Sequence, residues 1–508
     1  MQKFSADQIC KRYGRAVEIK RPWISQWQDI YDLCLPGRRG FFNQSPGQSK
    51  TDDIFDDTGA LSMQEFANVM VDGLAAGDIF KLVAGANIPV EEREEAQATL
   101  DDVNDFLHEC LRKSNFEEQF FENMIDISIG TAAMNVEASG DARYVSWEAW
   151  PLESYCIDRG PFGRHDGSFR MRNDVRVSDI EVVWPQAKMP SELSRRAQED
   201  PDNKPTFVEF TVRLWKEPQE TYQKGIVWLE EKKFILDTTE IGVGSRGDIV
   251  YNWARASGEV WGRGPALLAL PSMRTTNFTI ELILENADMH VGGIWKAEND
   301  GITNYDNIRL VPGTVITYMP GQKGLEAVEP PGNFNVADIV LSDQRRNIRE
   351  AFLNENFAGR GDTPISAAEV GERRAKIARK AGASVNRIFN EGIIPMVHRI
   401  VYLLRRQGIL EIPAIDGNEI DIIPVSPLAR SKRQENIQQT LGFVQSVTGI
   451  MGDSAQLWLS PEPILKDLAK MFEQPEAYLL SQEERDQITA RMMEAQAMQQ
   501  ASPEPNVG

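Results

Sequence analysis

Apolar residues recur at helical spacing over residues 5–35, through Ile9, Tyr13, Val17, Trp23, Trp27, Ile30, Tyr31 and Leu33. Ser5 followed by Gln8 fits a capping box at the start of this run. Pro22 is expected to break or kink it, and Pro36-Gly37 to end it. A second helix is predicted over about 60–75, with Leu61, Phe66, Val69, Met70 and Leu74 on its apolar face, and two more over 91–113 and 115–135. From about 143 the period shortens toward two. Short strands are predicted at 144–150, 154–157, 226–229, 233–236 and 249–253. Between them Val208, Phe210, Val212 and Leu214 alternate with partly polar neighbours, as in a strand with one buried face. The pattern then returns to helix. Gly262-Arg263-Gly264-Pro265 opens a long apolar run to about 291, a further helix follows over 336–357, and another extends from Ser366 and Glu369 to about 407. That last run is expected to bend near Gly382 and Pro395 and to be capped by Gly408. Residues 292–335 hold glycine, proline and short strand-like runs such as Thr314–Tyr318, and from about 431 the tail is helical in pattern, with a capping box at Ser481 and Glu484. The expected class is α+β, mainly helical.

Composition narrows the class further. A chain of 508 residues exceeds one ordinary core. No apolar run approaches the roughly 18 residues that span a bilayer, and the N-terminus has no apolar signal-like core. Four scattered cysteines, Cys10, Cys34, Cys110 and Cys156, read as reduced thiols in a cytosolic setting. The net charge of −21 would repel a polyanion wherever basic residues are not locally concentrated. Such a concentration exists between 345 and 406, where Arg345, Arg346, Arg349, Arg360, Arg387 and Arg399 stand among others. It is either a phosphate-facing stripe or a solvated helix face laced with ion pairs.

Few positions carry a pattern for catalysis. Gly242-Val243-Gly244-Ser245-Arg246-Gly247 matches GxGxxG, but a strand rather than a helix is expected after it, so it reads as a glycine-rich hairpin loop. Asp52, Asp53, Asp56 and Asp57 read as a solvated acidic stretch before a helix, and His108 and Cys110 as structural residues. Arg-Gly-Asp occurs at 246–248 and 360–362, in both places as a turn. The sequence holds no P-loop and no GxSxG elbow. No catalytic, cofactor-binding or metal-ligating residue is predicted.

Several segments, in order, resemble the podovirus head-to-tail connecting (portal) family. They are RYGRAVEIKRPWISQWQDIYDLCLPG at 12–37, FDDTGALSMQEFANVMVDGL at 55–74, EAWPLESYCIDRGPFG at 148–163, EVWGRGPALLALPSMRTTN at 259–277, the helix-rich stretch 363–404 and VSPLARSKRQENIQQTL at 425–441. The glycine-proline run at 262–265 is the most specific of them. The resemblance implies a portal fold assembled as a closed dodecameric ring. Residues 1–263 would form the wing, 264–291 the first stem helix, 292–335 the clip, 336–356 the second stem helix and 357–365 the tunnel loop. Residues 366–430 would add a long wing helix and a strand, and 431–508 the crown. It implies a conduit for double-stranded DNA at one capsid vertex, active in packaging and ejection. Terminase, major capsid protein, scaffold and tail adaptor or tail proteins would be its partners, first in the host cytoplasm and then in the virion, without membrane or cofactor. Candidate DNA-facing residues are Arg345, Arg346, Arg349 and Arg360, and the tunnel loop would include Phe357, Gly359, Asp362 and Thr363. The alternative is another head-tail assembly component, such as a tail adaptor or scaffold-like protein.

Overall fold

A computed structural model describes residues 3–42, 51–85, 87–139, 143–161, 165–292, 295–296, 326–327, 334–354, 367–412, 420–452 and 464–465. Phe357, Gly359, Arg360, Asp362 and Thr363, the strand-like run 314–318, and Ser366 and Ser481 lie outside them. The chain divides into two compact units, Met1–Pro364 with Lys380–Ser426, and Ile365–Arg379 with Pro427–Gly508.

The first unit opens with α1 (Ala6–Cys34), capped by the reciprocal Ser5–Gln8 bonds that the sequence predicts. Pro22 does not break it. Burial of Ile9 and Ala16 before the proline, and of Trp27, Ile30 and Tyr31 after it, outweighs one lost backbone bond. Lys20, inside this helix, is fully buried and donates to the carbonyls of Leu152, Glu153 and Tyr155 at 2.7–3.0 Å. Burial lowers its pKa.

Next come α2 (Thr58–Leu74), β1 (Phe80–Ala84), α3 (Val90–Lys113) and α4 (Phe116–Ile129). The buried stripe of α2 is Gly59, Ser62, Met63, Phe66, Ala67, Met70 and Leu74, while Leu61 is exposed. Small residues share the inner face with Met63, Phe66, Met70 and Leu74, and Gly59 lets α2 approach Met273 closely, since a Cβ there would stand 2.7 Å from the Met273 sulfur. His108 of α3 accepts from the Ile79 amide at 3.2 Å and stacks on Phe80, a structural place. The helix expected to run to 135 stops at Ile129. Gly130 has φ +153, and β2 (Thr131–Ala138) begins at once.

Two antiparallel sheets follow. β2 lies between β3 (Val145–Trp150) and β9 (Asp248–Asn252). The five-stranded sheet runs in sequence order through β4 (Tyr155–Arg159), β5 (His165–Arg172), β6 (Phe207–Arg213), β7 (Thr221–Trp228) and β8 (Lys233–Ile241). Both of its faces are covered. Ile9 and Ala16 of α1 pack on Phe169, Val208, Phe210 and Val212. Val177, Ile180 and Leu193, from α5 (Ile180–Val183), α6 (Ser191–Glu199) and the chain before them, pack on Phe207 and Trp228. The expected half-buried strand is therefore buried on both sides.

Residues 242–247 connect β8 of one sheet to β9 of the other and do not form a hairpin. Their glycines are steric requirements. Gly244 has φ +78, and a Cβ there would stand 2.2 Å from the His398 carbonyl. Arg246 and Asp248 pair with each other at 2.7 Å, so this Arg-Gly-Asp is spent internally.

α7 (Pro265–Gly292) and α8 (Phe334–Ala351) pack together, and between them the two-residue strands β10 (Trp295–Lys296) and β11 (Glu326–Ala327) pair. α8 ends six residues earlier than expected. Leu353 takes φ +61, and the Leu353 and Asn354 amides bond back to Glu350 and Arg349. Phe352 is thereby turned into the core against Phe66.

α9 (Ala367–Ile388) passes through Gly382 as regular helix. A π-helical turn, Phe389–Ile393, then joins it to α10 (Ile394–Arg406). The irregularity has a cause in Pro395, which cannot donate to the preceding turn, while the Ile394 amide reaches Phe389. Gly408, at φ +71, closes α10 with Gly408→Arg405 and Ile409→Leu404 bonds. β12 (Ile420–Pro424) pairs with β1. The second unit contributes the start of α9 and α11 (Pro427–Met451) to the described residues. No helix among the described residues is long and apolar enough to cross a membrane.

Candidate functional site

The α7–α8 pair is the best candidate, because it is anchored firmly at one end and carries unpartnered apolar residues. The anchor begins at Gly262-Arg263-Gly264, where the chain crosses the α4–β2 turn at backbone contact. The Gly264 amide donates to Ile129 and the Gly262 amide to the Thr131 hydroxyl, both within 2.9 Å. A Cβ on Gly264 would stand 2.1 Å from the Ser128 carbonyl, and one on Gly262 2.2 Å from the Gly130 carbonyl. Pro265 then starts α7, where its missing amide hydrogen is not needed. The most specific motif in the sequence is therefore a backbone crossing. Gly264→Ala is expected to destabilise the fold by about 2–4 kcal/mol. Chemical denaturation checks this, and an unchanged midpoint would contradict it.

Along α7, Ala266, Ala269, Leu270 and Met273 face inward and are buried. The Cys34 thiol lies 3.3 Å from the Met273 sulfur, Arg274 pairs with Asp29, and Asn277 accepts from the Phe55 amide at 2.7 Å. Thr275, Thr276 and Thr279 donate to carbonyls one turn back, which satisfies their hydroxyls within the helix. On the opposite side Leu268, Pro271, Thr275, Phe278 and Leu282 form one ridge at spacings of three and four, and all are exposed. Leu268 is 75% exposed, Phe278 59% and Leu282 46%, and Leu284, Ile339 and Val340 are also open.

On α8 the inward positions are Leu341, Arg345 and Ile348, followed by Phe352 just past its end. Arg345 donates to Asp56 at 2.9 Å, and that carboxylate is 3% exposed. Asp56 also accepts from the Thr58 amide at the start of α2. The acidic stretch expected to be solvated therefore contains one buried member, recruited by an arginine nearly 290 positions away. Arg346 is exposed and pairs loosely with exposed Asp343. Arg349 is half-buried and has no ion pair among the described residues. Asp343 and Glu350 are exposed beside these arginines, so the outer face of α8 carries both signs.

Arg399 does not belong to a phosphate-facing stripe. It is 1% exposed and donates to the carbonyls of Val136, Gly244 and Ser245 and to Glu137 and Glu240. Arg406, on the same helix, pairs with Glu240. The sequence lists these arginines side by side, but burial separates them. A burial signal was available, since Arg399 falls in the apolar phase of α10 with Met396, Ile400 and Leu403.

The chain was compared with known proteins. It is 23% identical over 482 residues to the "Probable portal protein" of Bordetella phage BPP-1, which covers 87% of this chain and 83% of that one. Among solved structures it is similar to a chain in the neck of an empty gene transfer agent particle, with 12% identity and a TM-score of 0.36 over 86% of this chain and 96% of that one. It is also similar to a chain in the virion of a native gene transfer agent particle, with 10% identity and a TM-score of 0.35 over 76% and 86%. The profile of the family described as "Bacteriophage head to tail connecting protein" matches residues 6–479, and the chain belongs to that family.

Proposed function

We propose that this protein is the portal of a short-tailed bacteriophage, a dodecameric ring at one capsid vertex through which double-stranded DNA enters and leaves. The observation that carries the reading is the ridge on α7. One side of that helix is seated on α1 and α2, while the other presents Leu268, Phe278 and Leu282 to solvent. A surface of this kind calls for a partner, and in a closed ring of identical chains the partner is the next copy. Family membership supports the same reading. In this reading residues 264–291 and 336–356 are the stem, 292–335 the clip and 357–365 the tunnel loop. Residues 1–263 and 366–430 are the wing, and 431–508 the crown. Terminase would dock during packaging and tail proteins afterwards, and ATP hydrolysis would belong to the terminase.

The acidic balance of the chain suits a conduit. Duplex DNA carries a charge about every 1.7 Å, so contacts repeated around a ring multiply. A net charge of −21 per chain limits that grip. Of the four arginines proposed to face DNA, Arg345 is neutralised by Asp56 and Arg360 lies outside the described residues, which leaves Arg346 and Arg349 as the positions to test. Imaging of the purified chain by negative-stain electron microscopy, with scaffold added if needed, tests the ring: closed particles with a central hole are expected, and a persistent monomer would refute it. Replacing Arg346 and Arg349 by glutamine is expected to impair packaging or DNA retention and to lower the salt slope of DNA binding by about one per contact removed. Phage carrying both changes with normal packaging, retention and ejection would exclude these residues from the channel.

A further inference from the structure

The outer edges of the sheets are treated unequally. On β3 the outward backbone groups belong to Trp147 and Ala149, because the Ser139 amide bonds to the Tyr144 carbonyl on the inner side. Asn115 accepts from the Trp147 amide and donates to its carbonyl, and Gln119 accepts from the Ala149 amide, all at 2.8–2.9 Å. β1 is closed in the same way. Asn104 of α3 accepts from the Leu82 amide at 2.7 Å and donates to its carbonyl, and Gln97 accepts from the Ala84 amide at 3.0 Å. On β12 the Ile422 amide turns to the side chain of Asp421, and Pro424 has no amide to offer. On β9 the Asn252 amide goes to Glu391. On β4 Lys20 holds the Tyr155 carbonyl, and Tyr155 and Ile157 have no exposed surface. Unpaired strand edges invite another chain, and closing them in these ways prevents it.

β8 is the exception. The Gly242 amide bonds to the Glu220 carbonyl, and the same register sets Thr238 and Glu240 toward β7. The amides and carbonyls of Asp237, Thr239 and Ile241 therefore point outward. The Lys188 amide donates to the Ile235 carbonyl at 2.7 Å and closes the first half of this edge. Beyond it, the outward groups of Asp237, Thr239 and Ile241 meet no partner among the described residues. The edge leads into a cleft of about 810 Å³ whose lining includes Ile241, Val243, Val401, Tyr402 and Arg405. Ile241 is 43% exposed and Val243 52%. The carboxylates nearby are taken, Glu240 by Lys224, Arg399 and Arg406, and Glu220 by Arg213. Arg405 is exposed and has no ion pair among the described residues. Open backbone groups, two aliphatic side chains and one surplus positive charge thus lie together.

We propose that residues 237–241 form a docking edge for an extended arm of a different protein of the particle, aliphatic where it meets Ile241 and Val243 and acidic beside Arg405. This rests on the reading of the chain as a component of an assembled particle. The arm adds a sixth strand to the five-stranded sheet. Each of the three outward residues offers it one donor and one acceptor, which give affinity whatever the arm's sequence. The aliphatic pair and Arg405 select which arm is taken.

The test is amide hydrogen exchange, read residue by residue in the free full chain, in rings of the chain alone and in assembled phage particles. In the free chain Asp237, Thr239 and Ile241 are expected to exchange about 100-fold faster than Thr238 and Glu240, or more. In particles they should slow to the rates of those inward neighbours. Thr239→Pro removes one outward amide and leaves the pairing with β7 possible, and Arg405→Glu reverses the surplus charge. Each should speed exchange at Asp237 and Ile241 in particles about tenfold or more, whereas Arg405→Lys should keep the protection. If Thr239→Pro fails to fold, as judged by circular dichroism, the two Arg405 variants decide. Equal exchange in particles and free chain would overturn the assignment. So would protection already complete in rings of the chain alone, which would make the occupant a second copy, or protection unchanged in the folded variants. Ring formation is scored separately by electron microscopy. If no ring forms, the portal reading fails, while the free chain and the particles still decide the fate of this edge.

Discussion

Replacing Phe278 and Leu282 together by glutamate is expected to abolish assembly of the proposed ring while leaving the subunit folded. Both side chains lie on the open ridge of α7 and touch little of their own chain. In a single subunit their loss is a surface change, worth about 0.5 kcal/mol or less. At a subunit contact, each apolar side chain contributes about 1.5–3 kcal/mol when fully buried, and two carboxylates in its place add repulsion and desolvation. In the proposed ring that penalty would fall at every subunit contact. Sedimentation velocity should show the variant as a monomer with an unchanged unfolding midpoint. Rings that persist at the same concentration would remove this ridge from the interface.

Arg399→Met is expected to destabilise the first unit by about 3–5 kcal/mol, the range for removing one partner from a buried charged network. The guanidinium holds three carbonyls and two glutamates, and through them joins α10 to β2 and to the glycine-rich connection. Methionine would fill part of the volume but satisfy none of the acceptors. Burial alone would raise the Glu240 pKa, but Lys224 and Arg399 more than offset it and hold it below the usual glutamate value. A depressed carboxylate pKa contributes stability above the unfolded-state value of 4.5, and that contribution fades as pH falls through the folded-state value. The cost of Arg399→Met should therefore be larger at pH 7 than near pH 4. Urea denaturation at both pH values measures it, and a cost under about 1 kcal/mol at pH 7 would mean that the network is dispensable.

Local signals were legible in the sequence wherever the physics is local. The Ser5–Gln8 box, the Gly408 cap and the strands after 143 depend on residues within a few positions of each other. The errors arose where distant contacts decide the outcome. Pro22 and the end of α8 follow from packing by residues far along the chain. Leu61 is an apolar residue that a helix pattern would bury, yet the buried stripe of α2 runs through Gly59, Met63, Phe66, Met70 and Leu74 and leaves it outside. Asp56 read as solvated because Arg345 is remote in sequence. Arg399 read as surface charge because its acceptors come from β2, β8 and the 242–247 connection. The candidate site divides in the same way. The glycine-proline start of α7 was visible as a motif, but its steric reason lies in the backbone at residues 128–130. The open ridge emerges only when the buried side of α7 is known.

The π turn at Phe389–Ile393 has a consequence for how this chain can vary. A wide turn holds one more residue than an α-turn over the same rise, so it shifts the angular phase of everything after it by about 100°. Arg399, Ile400 and Leu404 point inward on α10 because of that shift, and Glu391 and Gly392 meet Asn252 and Tyr251 within the turn itself. Deleting a single residue there would restore a regular helix and rotate the guanidinium of Arg399 away from its acceptors. Substitutions at exposed Asn390 should be tolerated, whereas a one-residue change in length should not. In this segment residue count is under tighter constraint than residue identity.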